Sequence, residues 1–320
     1  MLRTALFTFL TSSMMFSASP SAQTLTVYSA GPGTLIKQLA ADFERSEGVK
    51  VDVFQATTGK VMARVEAESA NPRADVVISA SWDSAAELDA RGLLAPLETG
   101  EAEGQVPAFL KQPNYVAQGV SALGMVWNPA SGTPAPQDWA DLLRPEYRDR
   151  VTMPDPALSG ATLDLLLGLQ AARGEEFWAF LAGLKEQGMT ISGPNAQALA
   201  PVLQGARAVV FGAVDYVSYA AAAKGEAVQV IFPQSGTVIA PRPIMVMKSS
   251  RQPELAQRFA RFLLSVPAQQ AVGQAWLMPV RTGVAAQRPL LADIRILDVQ
   301  AGASERQELL QRFNQLFNRY

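Results

Sequence analysis

The amino-acid sequence predicts an α/β protein of two lobes, each built on a mostly parallel sheet with helices on both faces. Three observations support this. Short β-rich runs alternate with amphipathic stretches of about ten residues, the pattern of strand–helix–strand units. About 300 residues follow an N-terminal leader, more than one compact core usually holds. Two long β-rich segments, Tyr115–Asn128 and Gly236–Met247, stand where the chain would leave one lobe and later return.

The elements follow in order. Met1–Ala22 reads as an export signal peptide: Arg3 is the positive end, Ala5–Phe16 is an apolar run too short for a bilayer, and Ser17–Ala22 is a small-residue cleavage zone. Strands Leu25–Ser29, Val49–Phe54 and Ala74–Ser79 are each followed by a helix, Thr34–Arg45, Lys60–Ala70 and Ser84–Arg91. The crossover Tyr115–Asn128 is punctuated by Gly119 and Gly124. Beyond it come Trp139–Leu143, Val151–Pro156 and a helix opened by Ser159-Gly160-Ala161-Thr162. Helix Glu175–Gln187, strand Met189–Ser192, helix Ala196–Gln204 and strand Ala208–Gly212 complete the second lobe. After the return crossover, helices Pro253–Ser265 and Pro267–Ala275 pack on the first lobe, and Glu305–Phe317 closes an outer face. The expected division is a leader over 1–22, a first lobe of 23–120 plus 243–320, and a second lobe of 121–242.

Composition narrows the chemistry. With 27 Lys and Arg against 29 Asp and Glu, the net charge is −2, and no basic run offers a track for nucleic acid. The chain has no His and no Cys. That removes Ser-His-Asp and Cys-His nucleophiles, zinc sites of imidazole or thiolate, disulfides and a thiol-borne lipid anchor. No segment past the leader approaches the roughly 18 apolar residues of a membrane span. A soluble, exported, periplasmic monomer is expected, with no cofactor and no catalytic residues.

The first lobe's strands end on small or hydroxyl residues: Ser29-Ala30-Gly31, Ala56-Thr57-Thr58-Gly59 and Ser79-Ala80-Ser81. In open α/β sheets these strand ends face the ligand crevice, and the helices starting there present unpaired N–H groups and a positive dipole end. Each corner alone is also an ordinary turn with an N-cap. Three of them, with Ser159–Thr162 as a fourth, favour a pocket. Ser29, Thr57, Thr58, Ser81, Ser159 and Thr162 can donate neutral hydrogen bonds to an anion there. Lys60 and Arg242 are the cations placed nearest, a solvated surface charge being the alternative for either. Asp215, following the apolar strand Val209–Val214, is placed to accept from a substrate amine or hydroxyl. Tyr216, Tyr219 and Trp82 are candidates to pack on an organic moiety, and Trp127 belongs in the core.

Several segments together resemble a known family: "LTVYSAG", "RADVVISASWDSAAELDARGLLAPL", "DWADLLRPEYRDRVTMPDP", "SGATLDLLLGL", "GPNAQALAPVLQGARAVVFGAVDYVSY" and "IMVMKSSRQPELAQRFARFLLS". They are similar to the periplasmic substrate-binding proteins of ABC importers grouped with ferric-iron binders, a type 2 two-lobed fold with the ligand cleft between the lobes. The resemblance implies a small anionic solute and an inner-membrane ABC permease as partners. It also implies an iron site that this chain keeps poorly: Pro32 stands where iron binders place a His, Ala80 where they place a Glu, and Asp215-Tyr216 where they carry two tyrosines. Asp215 and Tyr216 would be the ligands if iron bound. The family's anion site is kept better, on Ser159, Gly160, Ala161 and Asn195, with Ala213 replacing a further Asn. Some members that resemble this pattern bind phosphorylated sugars or phosphonates such as 2-aminoethylphosphonate with no iron, and the resemblance implies a solute of that kind.

Other motifs carry less. Thr57-Thr58-Gly59-Lys60 has the spacing of a Ser-x-x-Lys nucleophile but lacks the serine, and it lacks the flanking residues of a phosphate-binding P-loop. Gly31-Pro32-Gly33 has Ile36 where a dinucleotide fingerprint needs its third Gly. Asp83 and Glu87, one turn apart, read as a solvated helix face rather than an acid/base pair. The reading is a binding receptor for a phosphorylated or phosphonate solute. The alternatives are ferric-iron capture with a synergistic anion, an exported carboxylate-based hydrolase, or a sensor for a membrane receptor.

Overall fold

The structure is a computed structural model that describes residues 23–289, 291, 294–299 and 302–319. The leader therefore lies outside the described residues. Among those described, no helix is long and apolar enough to cross a membrane.

The chain opens with strand β1 (Thr24–Ser29), helix α1 (Gly33–Glu47), β2 (Lys50–Gln55), α2 (Thr58–Ala67), β3 (Val76–Ile78) and α3 (Trp82–Ala90). A short β4 (Lys111–Gln112) precedes the long β5 (Tyr115–Trp127). Then come β6 (Val151–Met153), α4 (Gly160–Arg173), α5 (Glu175–Glu186), β7 (Thr190–Ile191), α6 (Asn195–Leu203), β8 (Val209–Val214), α7 (Asp215–Ala222) and β9 (Gln229–Ile231). β10 (Ile239–Val246), α8 (Pro253–Leu263), α9 (Val266–Gln274), β11 (Met278–Pro279) and α10 (Ala303–Leu316) complete it.

One continuous strand path, β2-β1-β3-β10-β5-β8-β6-β7, joins the two halves. β1 is parallel to β2 and β3, and β6 is parallel to β7 and β8, as strand–helix–strand connections require. The antiparallel pair β5 and β10 lies between them: Tyr115–Ala122 of β5 pairs with β10, and Leu123–Trp127 pairs with β8. Two cores flank this crossing. Leu25, Leu39, Phe43, Val116, Ile244, Phe259 and Val272 belong to one. Leu123, Trp139, Leu166, Phe177, Phe211, Val238 and Phe313 belong to the other. Tyr216 packs against both.

Local sequence explains the elements that frame the gap. α8 buries Leu255, Ala256, Phe259, Ala260 and Leu263, a stripe at helical spacing, with Phe259 set edge-on to Phe43 of α1 at 5.0 Å. α4 is buried continuously from Gly160 to Leu169 because it is covered on several sides, which suits a run of leucines rather than an amphipathic pattern. α2 starts at Thr58, two residues before the sequence-based expectation, because the Thr57 hydroxyl caps the Lys60 N–H. The β10–β5 register shifts between Pro241 and Pro243, whose missing N–H groups interrupt the ladder around Arg242. The final helix does more than cover an outer face: its Leu309 and Phe313 are buried in the second core.

Candidate ligand cleft

Five helices begin around one gap between the lobes, α1 at Gly33, α2 at Thr58, α4 at Gly160, α6 at Asn195 and α7 at Asp215, and residues at or beside each start line a cleft of about 650 Å³. Of the residues expected at the site, it brings together Ala30, Gly31, Thr57, Thr58, Lys60, Ser159, Ala161, Asn195, Tyr216 and Arg242. Phe54, Gln55, Leu158, Val214 and Val217 also line it, and none of these was singled out from sequence. No Asp or Glu stands among the described residues of the wall.

Most of these helix starts share an electrostatic trait. Four of the five have no acidic residue in the first turn, and the fifth, α7, carries Asp215, which is paired with Arg288. A helix N-terminus carries orphan N–H groups and about half a positive charge, which a nearby carboxylate would neutralise. At those four starts that positive potential is left for whatever enters the gap. α1 and α6 are preceded by Pro32 and Pro194 and have no side-chain cap at all.

Arg242 supplies the formal charge. Its side chain is 1 % exposed, donates to the Ala30 carbonyl at 2.6 Å and lies 5.5 Å from the centre of the Tyr216 ring. Its Nε is buried without a hydrogen-bond partner, and no carboxylate among the described residues pairs with it. The solvated-surface alternative for this residue is thereby corrected, while Lys60 is indeed exposed, at the cleft rim. Opposite, the Ser159 hydroxyl oxygen accepts from the Thr162 N–H (3.2 Å), the Thr162 hydroxyl (2.8 Å) and Asn195 Nδ2 (2.9 Å). With its lone pairs engaged, its own O–H remains to be donated.

Five other expected donors and contacts stand behind the wall. Ser29 accepts from the Gly31 N–H at 3.1 Å, Ser79 from the Ser81 N–H at 3.1 Å, and Ser81 donates to Asp164 at 2.9 Å. The Ser29 and Ser79 hydroxyls accept within their own turns, as small hydroxyl residues at strand ends do, and the Ser81 hydroxyl is spent on Asp164 of α4. Thr162 is turned to Ser159, and Gly160 faces the opposite lobe.

Asp215 is the clearest departure from expectation. It is fully buried, accepts from the Ala122 N–H at 2.9 Å and forms an ion pair with Arg288, whose side chain is equally buried. Burial pushes its carboxyl up to about 6, against the pull of the Arg288 charge. It braces the crossover rather than receiving a solute amine. Arg288 had no local sequence signal. Asp215 and Tyr216 consequently diverge, and no group of three or more His, Cys, Asp or Glu able to hold a metal occurs among the described residues. Tyr219 stacks with Trp276 and lies under Arg288, Trp82 meets Tyr115 edge-on, and Trp127 donates to Thr133. None of the three lines the cleft.

The lobes meet along one side of the cleft. A Cβ on Gly59 would lie 2.2 Å from the Ala157 carbonyl oxygen, and one on Gly160 would lie 2.8 Å from the Thr58 methyl and 2.9 Å from Ser81 Cβ. Next to this seam Arg306 of α10 bonds Asp83 of α3 at 3.0 Å and Asp164 of α4 at 2.9 Å. Asp83 is therefore no solvated face: only 7 % exposed, it is raised to about 7 by burial and the neighbouring Asp164 charge, with Arg306 opposing. Glu87, one turn on, pairs loosely with Arg91 at 3.7 Å.

A gap between two α/β lobes, joined across paired crossover strands and edged by helix starts, is the architecture of a two-lobed solute-binding protein. The chain belongs to the family of bacterial extracellular solute-binding proteins, which it matches over residues 25–275. It is 25 % identical to the major ferric iron-binding protein of Neisseria meningitidis serogroup A over 85 % of this chain and 82 % of that one. It is 26 % identical to a putative 2-aminoethylphosphonate-binding periplasmic protein of Salmonella typhimurium, over 76 % and 73 %. Among solved structures, the periplasmic binding protein AfuA from Actinobacillus pleuropneumoniae, with fructose-6-phosphate bound, superimposes with a TM-score of 0.84 at 20 % identity, over 93 % of this chain and 99 % of that one. The chain thus has the fold of type 2 periplasmic binding proteins, and the relatives are described by what they bind.

Proposed function

We propose that the protein is the periplasmic receptor of an ABC importer, closing on a small phosphorylated or phosphonate solute and presenting it to an inner-membrane permease. In this reading residues 23–120 with those from 243 onward form one lobe and 121–242 the other, α10 being tied to both. The observation that carries it is Arg242: a buried, uncompensated guanidinium in a cleft with no acid. A tetrahedral oxyanion offers several acceptors at once, matching the Arg242 fork, the Ser159 hydroxyl and the N–H groups at the starts of α1, α2, α4 and α6. Ala30, Gly31, Thr57, Thr58, Ala161, Asn195 and Tyr216 would complete the contact, with Ser29, Ser79, Ser81, Gly160 and Thr162 shaping the wall from behind.

Thermal-shift screening against sugar phosphates, phosphonates and ferric salts tests this, since a ligand that binds only the folded state raises its midpoint. A phosphorylated or phosphonate compound is expected to stabilise the protein, and Arg242→Gln, which keeps a donor for Ala30, is expected to weaken its binding by roughly 30-fold or more. Stabilisation by ferric salts alone, with a visible phenolate-to-iron absorption band, would replace this reading with iron capture.

A further inference from the structure

Resting on that reading, we infer that the organic part of the solute carries no positive charge: the cleft takes a neutral alkyl or polyhydroxy phosphate or phosphonate and discriminates against an ammonium-bearing one. Three observations carry this. The lining contains two cations, Lys60 and Arg242, and no carboxylate among the described residues. The acid expected to receive an amine, Asp215, is spent in a fully buried pair with Arg288. The rest of the lining is uncharged, including Phe54, Leu158, Pro194 and Val217.

An alkylammonium entering this space gives up water without gaining a counter-ion, and does so beside helix ends that are themselves positive. A hydroxyl of similar size loses far less on the same transfer. The same balance of charge disfavours a bare multivalent cation. The phosphonate end gains equally in both cases, so the organic end decides the preference.

The test is calorimetry with matched phosphonates, 2-aminoethylphosphonate against 2-hydroxyethylphosphonate and N-acetyl-2-aminoethylphosphonate. It is run at about pH 8.5, where an alkylamine is still protonated, with fructose 6-phosphate as a neutral polyol phosphate. At least tenfold tighter binding of the hydroxyl compound is expected, with acetylation of the amine recovering affinity. In Ala196→Asp, a carboxylate is placed at the exposed start of α6, where an acid suits the helix. The preference for the neutral compound is expected to shrink by about tenfold or reverse. Equal or tighter binding of 2-aminoethylphosphonate by the unaltered protein would overturn the inference while leaving phosphonate recognition standing. Binding of none of the four compounds would overturn the proposed function and this inference with it.

Discussion

Gly59→Ala separates closure from folding. Gly59 lies inside α2 with ordinary helical backbone, where alanine is intrinsically favoured over glycine by about 1 kcal/mol. The added methyl finds its obstacle on the other lobe, 2.2 Å away at the Ala157 carbonyl oxygen. Restoring the roughly 3.5 Å of normal non-bonded contact requires the lobes to part there by more than about 1 Å. Overpacking of this kind costs about 1–3 kcal/mol. At about 1.4 kcal/mol per decade, the population of closed molecules falls about 5- to 150-fold, and the apparent Kd rises by the same factor. Calorimetric Kd for the best phosphorylated ligand, together with the melting midpoint of the ligand-free protein, reads both effects. Weaker binding with an unchanged or higher midpoint is expected. A Kd within twofold of the unaltered protein would show that the binding-competent form does not bring α2 against Ala157, and the closure argument would fail.

Three further outcomes follow from the seam and the cleft. Arg306→Ala leaves two buried carboxylates, Asp83 and Asp164, facing each other without a cation, so stability at neutral pH should drop by about 3–5 kcal/mol in urea unfolding. Asp83 is held at about 7 in the folded state against an ordinary 3.8. Because the folded state binds this proton more tightly, its contribution to stability is full below pH ~4 and is lost as pH rises toward about 7, and Asp83→Asn should flatten that part of the stability–pH profile. Ser159→Ala removes the cap of α4 and the acceptor for Asn195, so it should cost about 1 kcal/mol of stability and weaken ligand binding, read by thermal melts and calorimetry.

The sequence disclosed what is periodic or local. Alternating runs located the strands and helices, and small residues at the ends of β1 and β2, with the Ser159 start of α4, marked corners that do meet at the cleft. Long-range pairing was hidden. Ser29, Ser79 and Ser81 looked like ligand contacts because a hydroxyl at a strand end serves equally well to fold the turn, as Ser29 and Ser79 do, or to bond a distant side chain, as Ser81 does with Asp164, and only the three-dimensional partner distinguishes these roles. Arg242 could not be separated from a surface charge because its burial depends on Ala30 and Tyr216, far away along the chain. Asp215 and Arg288 are 73 positions apart and share no pattern, so an acid behind an apolar strand resembled a substrate contact until its partner was in view.

The strand order also fixes a timetable. β3 is covered on its far side only by β10, and the first core needs α8 and α9 as well, so a chain growing from its N-terminus carries β1, β2 and β3 with one bare edge until Ile239–Val246 has been made. The second core, apart from Leu309 and Phe313, lies within residues 123–240 and can assemble in the meantime. At about 5–20 residues per second, roughly 10–30 seconds separate β3 from its neighbour during synthesis. That unpaired edge is a template for pairing with another chain until β10 covers it, so the first third expressed as a separate fragment is expected to aggregate, as pelleting assays would read.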